Sequence, residues 1–146
     1  MRVDELVYRR VFRAPRELVW RCLTDRAELA QFWGPQGMTT PLDSIVIELH
    51  VGGRFETLMV GDTGSHQMIA TFTEVVPPER LAWLEPANGM HTTGTLNDHG
   101  DGCTEVVIHQ RHVPEPMRSP QARAGFLTSL DRLEEHLVRL AQGDQP

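Results

Sequence analysis

Ser119 to Gly143 reads SPQARAGFLTSLDRLEEHLVRLAQG, and this stretch decides how the rest of the chain can be arranged. A serine accepts hydrogen bonds from the first free amides of a helix, and a proline at the next position has no amide to satisfy. A glycine tolerates the left-handed backbone on which helices end. Between those marks Phe126, Leu130, Leu133, Leu137 and Leu140 recur in steps of four and three, so one apolar stripe runs about four turns. The charges of DRLEEHLVR, Asp131 to Arg139, are expected on the opposite, solvated face. Such a helix needs an apolar surface to cover.

Upstream, from Leu42 onward, the apolar period is two. Strands are expected near Leu42–Leu49, Arg54–Val60, Gln67–Val75, Arg80–Leu84, Thr92–Asn97 and Thr104–His112. Turn chemistry separates them: Gly52-Gly53, GDTG at 61–64, PPE at 77–79, Asn88-Gly89 and DHGDG at 98–102. Leu6 to Phe12 alternates as well and supplies a first strand. Between it and Leu42, Pro15 suits the first turn of a helix whose apolar stripe is Leu18, Val19, Cys22 and Leu23. Asp25 and Glu28 have capping-box spacing, which starts a second short helix over about Arg26 to Trp33. LAQFWGPQG, Leu29 to Gly37, then stops it, because Pro35 has no amide hydrogen and disfavours helical geometry at Gly34. Phe32 and Trp33 stand at the break. Either they anchor the short helices to the sheet, or they wall the entrance of a hollow.

The order of elements defines an α+β class. A curved antiparallel seven-stranded sheet wraps on the long C-terminal helix, with two short helices after the first strand. A twisted sheet curls, and one helix is too narrow to fill the concavity, so a cavity is expected between them. The chain reads as a single domain over residues 1–146, with its ordered core at about 5–142.

Composition narrows the function. Formal net charge is -6 and no lysine or arginine run is present, so nucleic-acid binding is not expected. No apolar run approaches a membrane span, and MRVDELVYRR has no apolar signal core, which points to a cytoplasmic protein. Cys22 and Cys103 read as buried, reduced thiols. The seven histidines, His50, His66, His91, His99, His109, His112 and His136, lack converging ligand spacing. His109 and His112 are expected on opposite faces of one strand, and no HExxH or Cys-x-x-Cys occurs. No metal is expected. Without a P-loop or a GxGxxG fingerprint, no cofactor is expected either.

Met59 and Met68 flank one hairpin and, with Met38, suit an adaptable cavity wall. The groups open to acid–base work are Asp43, Glu48, Arg54, Glu56, His66, His91, Tyr8 and Arg10. Glu48 and Arg54 bracket Gly52-Gly53 and are placed to pair across it. No nucleophile elbow or Ser-His-Asp order appears.

FRAPRELVWRCLTDRAELAQFWGP, VGGRFE, ATFTEVVPPERLAW and GFLTSLDRLEEHL, in this order, resemble the START-related helix-grip (SRPBCC) superfamily. Within it the chain is similar to the branch of homologues of the activator of the 90-kDa heat-shock protein ATPase, a name that points to the stress response. The matching positions are Arg10, Ala14, Pro15, Val19, Trp20, Trp33, Gly34, Pro35, Gly52 and Gly53. Gly125-Phe126 replaces the family's Gly-Trp; Ala70 stands at a position where the family often has Gly, and Phe72 at its Tyr. The resemblance implies a cavity for a small hydrophobic or amphipathic molecule between sheet and helix. The candidate lining is Phe32, Trp33, Met38, Arg54, Met59, His66, Met68, Phe126 and Leu130. Two alternatives stay open. One is a cyclase- or hydrolase-like enzyme with His66, Arg54 or Glu56 as its polar group. The other is a co-chaperone-like domain with a chaperone partner, and a homodimer is compatible with any of these.

Overall fold

The computed structural model describes residues 3–143, so both ends of the expected 1–146 domain lie outside the described residues. The elements run β1 (Leu6–Phe12), α1 (Arg16–Thr24), α2 (Arg26–Leu29), β2 (Val46–Ile47), β3 (Arg54–Gly61), β4 (Gly64–Val76), β5 (Arg80–Glu85), β6 (Met90–Gly100), β7 (Cys103–Arg111) and α3 (Pro120–Ala141). The sheet has seven antiparallel strands in the order β1-β7-β6-β5-β4-β3-β2. Strands β2 to β7 therefore form a meander, and β1 closes onto the free edge of β7.

Directly paired residues share a face of a sheet, which lets the register assign sides. Tyr8 pairs with Ile108, Ile108 with Gly94 and Gly94 with Leu81. On the other half, Trp83 pairs with Phe72, Phe55 with Ala70 and Thr57 with Met68. These residues make the inner face. Together with Leu130, Leu133 and Leu137 of α3 and with Val19, Cys22, Leu29 and Phe32, they form one core. The long helix begins and ends as its sequence dictates. The Ser119 hydroxyl accepts from the Ala122 amide at 3.1 Å, and Gly143 lies at φ +72.

Three local expectations are corrected. Residues 42–49 do not form one strand: a 3₁₀ turn over Leu42–Ser44 precedes the two-residue β2. The Ser44 hydroxyl donates to the Pro41 carbonyl at 2.7 Å and accepts from the Leu58 amide at 3.2 Å, so a side chain does the work of a ladder bond. The second short helix ends at Leu29 instead of Trp33. Beyond it the Gln31 amide bonds the Glu28 carbonyl and the Phe32 amide bonds that of Leu29, each three residues back, so the chain tightens into a turn. His112 lies past the end of β7 at φ +57, so it is not on a strand with His109.

The Gly52-Gly53 turn needs its glycines for two different reasons. Gly52 has φ +88 with open space where a Cβ would stand, whereas a Cβ on Gly53 would overlap the Glu48 carbonyl. Glu48 does not pair with the Arg54 guanidinium. Its Oε1 accepts from the Arg54 backbone amide at 2.9 Å, and the guanidinium turns to Glu56, 2.8 Å away. Gly52→Ala should cost about 1–2 kcal/mol, the backbone penalty alone. Gly53→Ala should cost more than Gly52→Ala, because the turn itself must move. Urea denaturation of both variants checks this order.

Candidate functional site

The break after α2 is where the site is built. The indole Nε1 of Trp33 donates to Thr57 Oγ1 at 3.1 Å, and the Trp33 carbonyl accepts from Thr40 Oγ1 at 2.9 Å. This carbonyl and three that follow it turn toward α3, where one nitrogen of the Arg132 guanidinium meets all four. Arg132 Nη1 lies 2.8 Å from the Gly34 oxygen, 3.1 Å from Met38, 3.2 Å from Pro35 and 3.5 Å from Trp33. One nitrogen carries two hydrogens, so Gly34 and Met38 are the main acceptors and the others share. Burial pushes the Arg132 pKa down, and the nearby charge of Glu135 opposes the shift. The loop is further pinned where Gln36 donates its amide to Thr128 Oγ1 at 3.0 Å.

Trp33, held this way, joins a ring cluster. Phe55 stacks on Phe72 with centroids 5.1 Å apart and meets Trp83 edge-on at 5.0 Å; Trp33 lies 5.5 Å from Phe55 and 6.3 Å from Trp83. Phe55 and Phe72 are fully buried, whereas both tryptophans are half-buried. The space expected to be hollow is thus occupied in large part by rings. Two surface concavities stand out instead. One of about 240 Å³ lies between the start of α1 and the β6–β7 turn, and one of about 430 Å³ lies on the outer side of α3.

Beside the rings the inner face carries polar groups. Thr92 pairs with both Trp83 and Gln110, and both polar residues are buried. Glu85 follows Trp83 on the same side of β5. Burial pushes its carboxyl up, partly offset by a hydrogen bond with Asn88. Tyr8 stacks on Phe126 with centroids 4.3 Å apart; burial raises the pKa of its phenol and Arg123 opposes that shift. Glu85, Thr92 and Gln110 were not singled out from the sequence. The available signal was a polar residue at an inner-phase position of an otherwise apolar alternation.

The expected lining residues separate. Phe32 is core, only 3% exposed. Met68 pairs with Thr57 beneath Trp33, and Leu130 is buried in α3. Met59 packs under Gly34 and Met38 against Gly61. His66 pairs with Met59 on the inner side but is exposed at the sheet's far rim. Arg54 lies on the outer face, bound to Glu56. Phe126 stands on the β1 side of α3. The acid–base candidates do not converge either: Arg10 pairs with Asp131 at 2.6 Å, and His91 contacts Thr73 and Arg111 on the outer face.

The expected solvated face of α3 is also corrected. Arg132 and His136 both point inward, because i and i+4 positions line up on one side of a helix, here the edge of the leucine stripe. His136 is buried. Its Nε2 lies 2.8 Å from Glu28 Oε1, and Arg21 Nη2 holds the other Glu28 oxygen at 2.7 Å. Cys22 completes a cluster in which the Cys22, Glu28 and His136 donor atoms all lie within 4.8 Å of one another. The Asp25 carboxylate does cap the Glu28 amide, at 3.1 Å, but the Glu28 side chain leaves the capping box for His136.

A curved antiparallel sheet gripping one long helix, with aromatic and sparse polar groups between, defines a helix-grip protein of the SRPBCC type. The chain belongs to the family described as Activator of Hsp90 ATPase homolog 1-like protein, whose sequence pattern matches residues 13–138. Solved structures agree on the fold. A protein of Nitrosomonas europaea is 23% identical with a TM-score of 0.82, covering 97% of this chain and 99% of that one. One of Chromobacterium violaceum is 26% identical at 0.80, covering 92% and 97%. The AHSA1 protein of Silicibacter pomeroyi is 22% identical at 0.75, covering 92% and 97%. The sequence matches no curated protein. No helix among the described residues is long and apolar enough to cross a membrane.

The two thiols should differ sharply. Burial, with Glu28 adding to it, pushes the Cys22 thiol from 9.0 up to about 12. The thiolate is the nucleophile, so three pH units cut its reactive fraction roughly 1000-fold, before access is counted. A disulfide reagent should label the half-exposed Cys103 promptly and Cys22 only on unfolding. Equal labelling rates would contradict the buried placement of Cys22.

Proposed function

We propose that the protein binds a small, largely apolar molecule with a polar end on the inner face of the sheet, under the N-terminal half of α3. One observation carries this reading: the Trp33–Trp83 pair is left half-buried beside Glu85, Thr92 and Gln110. Small-molecule sites combine mostly apolar and aromatic walls with a few placed polar groups. Here the fully buried Phe55 and Phe72 form the floor, and the two indoles are the rings a ligand would meet first. Each aromatic contact adds about 0.5–1.5 kcal/mol beyond the buried area. The compact ring cluster means that entry requires the indoles to give way.

The enzyme alternative draws less support, because Arg54 and Glu56 share the outer face while His66 stands at the rim. The partner-protein alternative rests on the family's description. In this chain the exposed apolar side chains of the outer face, Val7 and Val11 on β1 against Val60, Ile69 and Val76 on β3 and β4, stand at opposite sides of the sheet.

Native mass spectrometry of freshly purified protein should reveal a retained small molecule. Anilinonaphthalene sulfonate should bind the folded protein and perturb its indole emission. Trp33→Ala should weaken probe binding about tenfold. It should destabilise by about 2–3 kcal/mol, below the 3–5 of a fully buried tryptophan. Absence of both a retained molecule and probe binding to the folded wild type would overturn the proposal.

A further inference from the structure

We infer that Cys22, Glu28 and His136 form a binding site for one zinc-class divalent ion at the junction of α1, α2 and α3. This site lies apart from the aromatic cluster and does not rest on the ligand proposal. The three residues offer one sulfur, one carboxylate oxygen and one imidazole nitrogen, a donor set that suits zinc. Their donor atoms already converge within 4.8 Å. A tetrahedral zinc site places such donors about 3.3–3.6 Å apart, given bonds of roughly 2.0–2.3 Å. Closing the cluster on an ion therefore takes small side-chain movements, and the fourth position is left for water.

The surroundings fit a held ion. Cys22, Leu29, Phe32, Leu133 and Leu137 are buried, while the Glu28 side chain keeps 18% of its surface exposed and marks the way in. Arg21 occupies Glu28 Oε2 and so orients Oε1 toward His136 and Cys22, the outer-shell role that commonly fixes a carboxylate ligand. Asp25, through the Glu28 amide, fixes the backbone of the same ligand. Arg139 Nη2, 3.5 Å from His136 Nδ1, must move aside.

The charges balance. A divalent ion on one thiolate and one carboxylate leaves the inner shell neutral. Without the ion, burial, with the Glu28 charge adding to it, keeps the thiol protonated. Metal binding takes an imidazole in its neutral form, with one ring nitrogen free. The ion takes the Nε2 lone pair, the imidazole proton passes to Nδ1, and the Cys22 thiol proton leaves to solvent. One proton is released per ion bound.

Cobalt(II), a coloured stand-in for zinc, tests this on the full chain, stripped with chelator and kept reduced. The expected result is one equivalent per chain and a thiolate-to-cobalt charge-transfer band. Zinc should abolish the band and also raise the melting temperature. The band should vanish in Cys22→Ser, persist in Cys103→Ser, and need roughly 10–100-fold more cobalt in His136→Gln. If Cys22→Ser does not fold, the other two variants decide by the same criteria. No band at excess cobalt with both thiols reduced, or a band lost in Cys103→Ser instead, overturns the site.

Discussion

One half-buried guanidinium organises this molecule. The chain leaves its second short helix at Leu29 and turns through Gly34-Pro35, so carbonyls without helical partners face α3. A buried carbonyl without a donor is costly, and a hydrogen bond to a charged group contributes about 1.5–3 kcal/mol. Arg132 supplies that donor to the loop running from Trp33 to Met38. Because the guanidinium grows from α3, the same bonds that satisfy the loop also fix the helix over the sheet. They fix Trp33 as well, whose ring completes the aromatic cluster.

The other ties of α3 follow along its length. Phe126 stacks on Tyr8 of β1, Thr128 takes the Gln36 amide, Asp131 binds Arg10, and His136 binds Glu28 of α2. Between them the leucines bury against the sheet. The exposed Arg10–Asp131 pair is worth little alone. The contacts of the buried His136 and the half-buried Arg132 are better shielded from water and carry the specificity of docking. They mark two halves of the helix. The N-terminal half packs on β1 through Phe126 and on the Trp33–Met38 loop through Thr128, and the C-terminal half closes the Cys22–Glu28–His136 cluster.

Much of the architecture was legible because it rests on local rules. Ser119, Pro120 and Gly143 bounded α3, and alternation with turn residues marked β3 to β7 to within a few residues. What escaped depended on distance in sequence. Nothing local marks Arg132 or His136 as inward, since either reads as one more charge on a polar face until the loop and α2 pack beside it. Cys22 and His136 share no ligand spacing, being brought together only by three helices. Glu85, Thr92 and Gln110 were visible as breaks in the inner phase, yet their meaning needed the register of β5, β6 and β7. The hollow expected from element counting was reduced by the size of Trp33, Phe55, Phe72 and Trp83, which volume arithmetic on helices alone does not include.

The central claim is that Arg132 joins loop and helix, and Arg132→Met tests it by keeping an unbranched stem while removing the guanidinium. Hydrogen exchange of the Gln36 and Met38 amides, read beside denaturant unfolding, is the measurement. The account predicts that both amides exchange at least about tenfold faster and that stability falls by about 1–3 kcal/mol, the cost of leaving the part-buried Gly34 and Met38 carbonyls without their donor. Unchanged exchange at Gln36 and Met38, with wild-type stability, would show that the loop holds its shape without the guanidinium and would contradict the account.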